Sequence, residues 1–287
     1  MSHNTALVVE GGAMRSVFSA GLLDGFLEQQ FNPFDFYIGV SAGASNLTAF
    51  LAGTPKKSLQ IFHDFALRKE FISYWRFFRG GHLMDLDWLE RMTYADSHVN
   101  LEAVFHHKKP LYVCVTDVDT GQARYIKAAP ENITGLVKAS SALPVFYRGF
   151  PMMDGRPMTD GGVAEGIPIA EAIRKGAKRI MVVRSRHQDY LKKDSLEHRF
   201  IRWKVRHHPA LIATMRNRIT IHANSIALMR HPPDSVNIIE VCPPDDFSIS
   251  RFNRDREQLL RGYHTGFDTA SDAIARWTRI NEEIKTE

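Results

Sequence analysis

Cysteine is nearly absent from this 287-residue chain, which has only Cys114 and Cys242. Two cysteines without CxxC spacing give neither a zinc ligand set nor a disulfide framework. No metal or other cofactor is therefore expected, and a reducing compartment, the cytoplasm, is the expected location. Long hydrophobic runs are missing as well. No stretch of 18 apolar residues occurs, so no membrane-spanning helix is predicted. The start of the chain lacks a charged segment followed by an apolar one. It runs almost directly into Ala6-Leu7-Val8-Val9, so no signal peptide is predicted. There is no internal repeat and no low-complexity segment. Neither charge sign dominates: 37 Lys and Arg against 32 Asp and Glu leave a formal net charge of +5. That excess fits an ordinary soluble surface and is also compatible with anionic partners such as phospholipid head groups.

Short apolar runs alternate with longer helical patterns. Thr5–Val9 reads as a buried strand, and a glycine-containing loop leads from it to a helix from about Val17 to Gln29. Phe34–Val40 reads as the next strand and Ala42–Leu51 as its following helix. Leu111–Thr116 and Gln122–Lys127 are strands joined by a turn, and Glu131–Ser141 is helical. Met152–Thr159 carries Asp154-Gly155, a strong hairpin-turn signal. Ile169–Lys175 is a helix with Pro168 near its start. Arg179–Val183 and Val236–Val241 are further strands, and Asp255–Trp277 is a long closing helix. Such alternation predicts an α/β fold with a mostly parallel sheet covered on both faces. The stretch Asp189–Arg230 is helical, basic and free of strand signals. It reads as a cap over the sheet or a peripheral helical pair.

The sharpest motif is Gly39-Val40-Ser41-Ala42-Gly43, between a predicted strand and a predicted helix. That is the context in which G-x-S-x-G exposes a serine nucleophile on a tight turn. Gly39 and Gly43 let strand and helix approach each other, and Ala42 and Ala44 keep the turn small. The helix N-terminus favours the negative charge that develops during attack. A serine hydroxyl needs a base at neutral pH. The 13 histidines do not exclude a Ser-His-acid triad. Most of them lie in basic runs such as His106-His107 and Arg206-His207-His208. His222 and His264 fall on helical patterns and read as surface or packing residues.

Asp160-Gly161-Gly162 follows the hairpin and places a carboxylate beside bare backbone. Asp160 can serve as the base if it reaches the serine, although Asp-Gly alone also marks an ordinary turn. Glu10-Gly11-Gly12-Ala13-Met14-Arg15-Ser16 links the first strand to the first helix. Its backbone N–H groups suit a tetrahedral oxyanion, each well-placed donor contributing about 3–4 kcal/mol. A phosphate loop or a plain turn are the other readings. The dinucleotide fingerprint fails, because its second and third glycines are Ala13 and Ser16. Arg15 either pins this loop or meets a substrate phosphate.

Taken together, these segments resemble the patatin-like phospholipases of bacteria. The glycine-rich loop Gly11–Ser16, the serine motif Gly39–Gly43 and the distal Asp160-Gly161-Gly162 occur in the family's order. Thr116–Gly121, Ala139–Pro144, Phe31–Asp35 and Arg79–Trp88 are similar to further family stretches. The resemblance implies a three-layer α/β/α sandwich and a Ser41–Asp160 dyad that needs no histidine. It also implies an oxyanion hole near Gly11, Gly12 and Ala13, and hydrolysis of acyl esters in lipids. Residues 5–185 are expected to form the catalytic core, and residues 186–287 a helical, basic C-terminal region packed on it. Ala13 and Ser16 depart from the usual glycines. If position 13 requires a positive φ, alanine there costs about 1–2 kcal/mol. A catalytically weak or silent lipid- or protein-binding module and a small-ester esterase are the alternatives.

Phe71–Arg79 and Arg199–His208 interleave aromatic and basic residues. Either segment suits peripheral contact with an anionic membrane, or a helix whose aromatics simply pack inward. No nucleic-acid motif is present, so a lipid or acyl-ester substrate is the expected partner.

Overall fold

The computed structural model describes residues 4–94, 100–194 and 196–286. Eight strands form the sheet: β1 (Thr5–Val9), β2 (Phe36–Val40), β3 (Leu111–Asp117), β4 (Ala123–Lys127), β5 (Met152–Met153), β6 (Arg156–Asp160), β7 (Arg179–Val183) and β8 (Asn237–Val241). Their order is β5-β6-β3-β2-β1-β7-β8, with β4 also paired to β3. β3, β2, β1, β7 and β8 run parallel, whereas β4, β5 and β6 pair antiparallel.

Both faces of the parallel strands are buried, which is why β1 and β2 are continuous apolar runs without polar alternation. Leu7 and Val9 point into one apolar cluster with Phe18, Leu22, Leu47, Leu136 and Trp277. These come from α1 (Val17–Glu28), α2 (Ala42–Leu51), helix Ile133–Ser141 and the C-terminal helix Arg256–Thr286. Ala6 and Val8 face the other way, into a cluster with Ile169, Ala172, Ile226 and Met229. Those residues belong to helices Ile169–Arg174 and Pro209–Arg230. The protein is thus a three-layer α/β/α sandwich. A third cluster joins Phe62, Phe71, Leu83, Ile201, Leu211 and Leu259.

Several boundaries differ from the sequence expectation. β2 begins at Phe36 because its register with β1 starts at Ala6. Phe34 supplies its ring to the core against Trp277 instead. Within Asp189–Arg230 only Leu196–Lys204 and Pro209–Arg230 are helical. The second of these helices is part of a sandwich layer and not a cap. Residues 186–194 form an irregular segment beyond β7. Ser195 and Glu287, which the expected C-terminal region includes, lie outside the described residues. Residues 57–94 hold short helices that hydrophobic periodicity did not single out.

Candidate active site

Strand register brings the site together. Along β3, Cys114 pairs with Val40 of β2, and the next residue, Val115, pairs with Asp160 of β6. β4 lies along the other edge of β3 through the same stretch. β2 and β6 therefore share one edge and meet end to end there. Ser41 directly follows Val40, so two residues 119 positions apart are neighbours. The Ser41 hydroxyl donates to Asp160 Oδ2 at 2.8 Å, and both residues are buried.

Ser41 has φ 53° and ψ −127°, a conformation that costs an L residue about 1–3 kcal/mol and needs support from its surroundings. Its N–H donates to Ser140 Oγ at 2.7 Å, and that hydroxyl in turn donates to the Cys114 carbonyl at 2.6 Å. The Ser41 carbonyl accepts from the N–H groups of Ala44 and Ser45. The two motif glycines permit the tight turn. A Cβ on Gly39 would stand 2.5 Å from Ala44 Cα, and one on Gly43 would stand 2.5 Å from the Val9 carbonyl oxygen.

Asp160 is held from both ends. Its Oδ1 accepts from the Gly162 N–H at 2.7 Å, and its carbonyl accepts from Thr116 Oγ1 at 2.8 Å. Gly161 packs against the Cys114 carbonyl. Burial raises the Asp160 carboxyl to about 6, against the pull of the Ser41 hydroxyl, the Gly162 N–H, Arg251 and Lys192. At neutral pH the group is mostly ionised, yet more basic than an ordinary carboxylate.

The loop after β1 lies directly on the serine. A Cβ on Gly11 would stand 2.8 Å from Ser41 Cβ. The N–H groups of Gly11, Gly12 and Ala13 donate to no described residue. Gly12 lies beside Ser185, whose hydroxyl donates to the Gly11 carbonyl at 3.2 Å. Ala13 has φ 49°, so the strain anticipated at this position is present. Arg15 is only 9% exposed, and its Nε has no hydrogen-bond partner. Its side chain therefore does not pin the loop by hydrogen bonds.

Ser41 stands between two cavities. One, about 100 Å³, is mainly apolar, with Met14, Phe62, Phe71, Leu86, Leu89 and Val137 in its walls and Glu90 and Lys138 also lining it. The other, about 890 Å³, opens beside Asp160, and its walls set Arg15, Arg186, Lys192, Lys193, Arg218 and Arg251 beside Glu10, Asp189, Asp194 and several apolar residues. The parallel strands β1, β2 and β7 all end here, at the carboxyl edge where open α/β sheets bind ligands. Among the described residues no imidazole hydrogen-bonds to Ser41 or Asp160. His222 is buried against the Tyr190 carbonyl, and burial and then Lys192 lower its pKa to about 4. His264 packs edge-on against Tyr263.

The family model for patatin-like phospholipase matches residues 7–173. The chain belongs to the patatin-like phospholipase family. That family is one of lipid acyl hydrolases. A second model, a domain of unknown function (DUF6363), matches residues 208–282. The uncharacterized protein YjjU of Escherichia coli (strain K12) is 35% identical over 243 residues, covering 83% of this chain and 68% of that protein. The crystal structure of VipD from Legionella pneumophila is similar, with 15% identity and a TM-score of 0.48. The comparison covers 95% of this chain and 66% of that one.

Sequence reasoning about the site overlooked three features. Ser140 lies in the Ala139–Pro144 stretch that the resemblance included, but its bond to the Ser41 N–H depends on sheet register. The apolar cavity is built mostly from residues 134–143 and from residues 61–94, to which the sequence reading assigned no strand or helix of the core. The larger cavity gathers residues from widely separated loops. The two basic-aromatic segments divide their side chains. Phe71, Ile201 and Val205 are buried, whereas Trp75, Phe78 and Trp203 are exposed, Phe78 by 80%. Among the described residues no helix is long and apolar enough to cross a membrane.

Proposed function

We propose that this patatin-like protein hydrolyses acyl esters of lipids through Ser41 and Asp160. The 2.8 Å hydrogen bond between the buried Ser41 hydroxyl and Asp160 Oδ2 carries the reading. Ser41 Oγ attacks the ester carbonyl while its proton passes to Asp160. The tetrahedral oxyanion is received by the N–H groups of the loop Gly11–Ala13, which donate to no described residue. Collapse releases the alcohol, which takes the proton from Asp160 and leaves an acyl-serine. Water then attacks the acyl-serine, giving a proton to Asp160, which returns it to Ser41 Oγ as the carboxylic acid leaves. The elevated pKa of Asp160 suits both roles, because a base near the working pH accepts and returns a proton readily.

The apolar cavity is the natural seat for the acyl chain. Substrate in a bilayer is approached through the exposed Trp75, Phe78, Phe200 and Trp203. Arg79 lies over Trp75, and Lys204 over Trp203, so aromatic rings and head-group-binding cations occur together. A fluorophosphonate probe should label the protein, and Ser41→Ala should abolish labelling. Asp160→Asn should cost at least about a hundredfold in kcat, and each His→Ala variant should retain labelling. Liposome binding that survives Ser41→Ala, without any labelling of the native protein, would instead establish a silent binding module.

A further inference from the structure

We propose that Ser185 is a positioning residue, which aims the Gly12 N–H of the glycine-rich loop at the oxygen of the reacting carbonyl. The proposal rests on the hydrolase reading above and adds a residue to its machinery.

The patatin match ends at residue 173 and the second family match begins at 208, so Ser185 lies outside both. It is 1% exposed and lines neither of the two cavities at Ser41. Any effect on the reaction therefore passes through its neighbours. β1 has β2 on one side and β7 on the other. Ser41 directly follows β2, and Ser185 stands two residues past the end of β7. The loop Gly11–Ala13, which continues β1, thus has the nucleophile on one flank and Ser185 on the other.

Ser185 Oγ donates to the Gly11 carbonyl at 3.2 Å. That carbonyl shares a peptide plane with the Gly12 N–H, and in a trans peptide the two point in opposite directions. Holding the carbonyl toward Ser185 turns the N–H away from β7, to the flank where Ser41 stands. Gly12 and Ser41 line the same larger cavity, and the Gly12 N–H donates to no described residue. Close packing reinforces the aim. A Cβ on Gly12 would stand 2.7 Å from Ser185 Cβ and 3.1 Å from Ser16 Oγ, and one on Gly11 would stand 2.6 Å from the Val40 carbonyl oxygen. The loop is wedged between its two flanks, so its peptide planes cannot drift sideways.

Ser185 is itself held by the residue that opens the loop. Its N–H donates to Glu10 Oε2 at 2.8 Å, and the Glu10 N–H donates to the Val183 carbonyl at 2.9 Å. Arg184 is fully buried, stands 3.6 Å from Glu10 Oε2 through its Nε and donates through Nη1 to the Glu240 carboxylate of β8. A buried guanidinium that lost either carboxylate would be short of counter-charge. The contacts therefore close a ring: Glu10 fixes Ser185, and Ser185 fixes the Gly11 carbonyl. An N–H aimed at the oxyanion acts more strongly on the transition state than on the bound ester, so a loss of aim falls on kcat and spares KM.

The test compares Ser185→Ala with the native protein on p-nitrophenyl butyrate. Loss of one neutral hydrogen bond should lower kcat about tenfold and leave KM within about twofold. The melting temperature should fall by no more than about 4 °C. Ser185→Cys, which keeps a weak donor at the same place, should have an intermediate kcat. A trifluoromethyl ketone supplies the second readout. Ser41 Oγ adds to its carbonyl, the proton passes to Asp160, and the negative oxygen faces the loop. Its Ki should rise about tenfold in Ser185→Ala, in step with the loss in kcat. An unchanged kcat overturns the proposal. So does a fall in kcat with an unchanged ketone Ki, or with a matching rise in KM, because a residue that only supports the fold gives those results. Labelling of the native protein by a fluorophosphonate separates the two readings. If the native protein is labelled and Ser185→Ala reacts at the native rate, the hydrolase reading stands and the positioning role falls. If the native protein is not labelled, both fall.

Discussion

The two cavities that meet at Ser41 are built by different parts of the chain and depend on different forces. The apolar one is walled mainly by short helices in residues 61–94 and by helix Ile133–Ser141, and most of its exposed lining is apolar. The larger one is walled by loops and by one face of helix Pro209–Arg230, and its lining mixes apolar residues with six Lys and Arg side chains and four carboxylates. Between them lies the strand-end platform of Ser41, Asp160 and the loop Gly11–Ala13, fixed by backbone register and a handful of short hydrogen bonds. The difference separates chemistry from choice. In the proposed reaction a rigid sheet edge carries the reacting groups, and peripheral segments on either side decide what is presented to them.

A lesion in the platform should affect every substrate alike. Gly11→Val places side-chain atoms where a Cβ already stands 2.6 Å from the Val40 carbonyl oxygen and 2.8 Å from Ser41 Cβ. The loop must move, and kcat toward anionic, zwitterionic and neutral esters should fall together by about a hundredfold or more. A loss confined to one class of ester would break the separation of platform from cavities.

Acidity should divide the same way. In the proposed mechanism Asp160 acts as a base only when ionised, so kcat/KM should fall about tenfold per pH unit below about 6 for every ester. Lys192 loses its charge as the pH rises through about 8. Preference for anionic over neutral esters should therefore decline above that pH, while hydrolysis of neutral esters should show no matching step. Parallel profiles for both substrates across pH 5–9 would remove Lys192 from selectivity.

Filling the apolar cavity should act on chain length. Ala66 is buried in its wall, and Ala66→Phe should lower kcat/KM for long-chain esters about tenfold relative to butyrate esters. A uniform loss at all chain lengths would mean that the acyl chain lies elsewhere. The smallest effect is expected at Ala13. Its φ of 49° is unfavourable for alanine, and glycine relieves that strain at some cost in unfolded-chain entropy. Ala13→Gly should stabilise the protein by about 0.5–1 kcal/mol in urea unfolding.

Much of this was legible in the residues. The apolar run Thr5–Val9 and the run Arg179–Val183 became strands at the expected limits, because burial on both faces leaves an unbroken hydrophobic signal. Helix Ala42–Leu51 likewise begins where the small residues after Ser41 place it. The serine turn was visible because steric demand restricts its neighbours to glycine and alanine. Chain segments without such demands were harder to read. Residues 57–94 pack short helices against a cluster assembled from distant segments, so no single period marks them. The non-helical course of residues 186–194 was hidden by a basic composition that suits helix and loop equally.

The sequence by itself determined the layered α/β plan, the serine turn, the glycine-rich loop and the presence of a carboxylate flanked by glycines. Each follows from local sterics or from burial, which act over a few residues and leave a pattern there. Tertiary structure alone decided that the Ser41 hydroxyl stands 2.8 Å from Asp160, that Ser140 braces Ser41, and that six Lys and Arg side chains share one cavity. Those facts depend on how β6 continues the edge that β2 leaves on β3, and on which loops converge at one end of the sheet. Contacts across so many residues arise only when the chain has folded, because the energy that selects them is shared among all the packed layers.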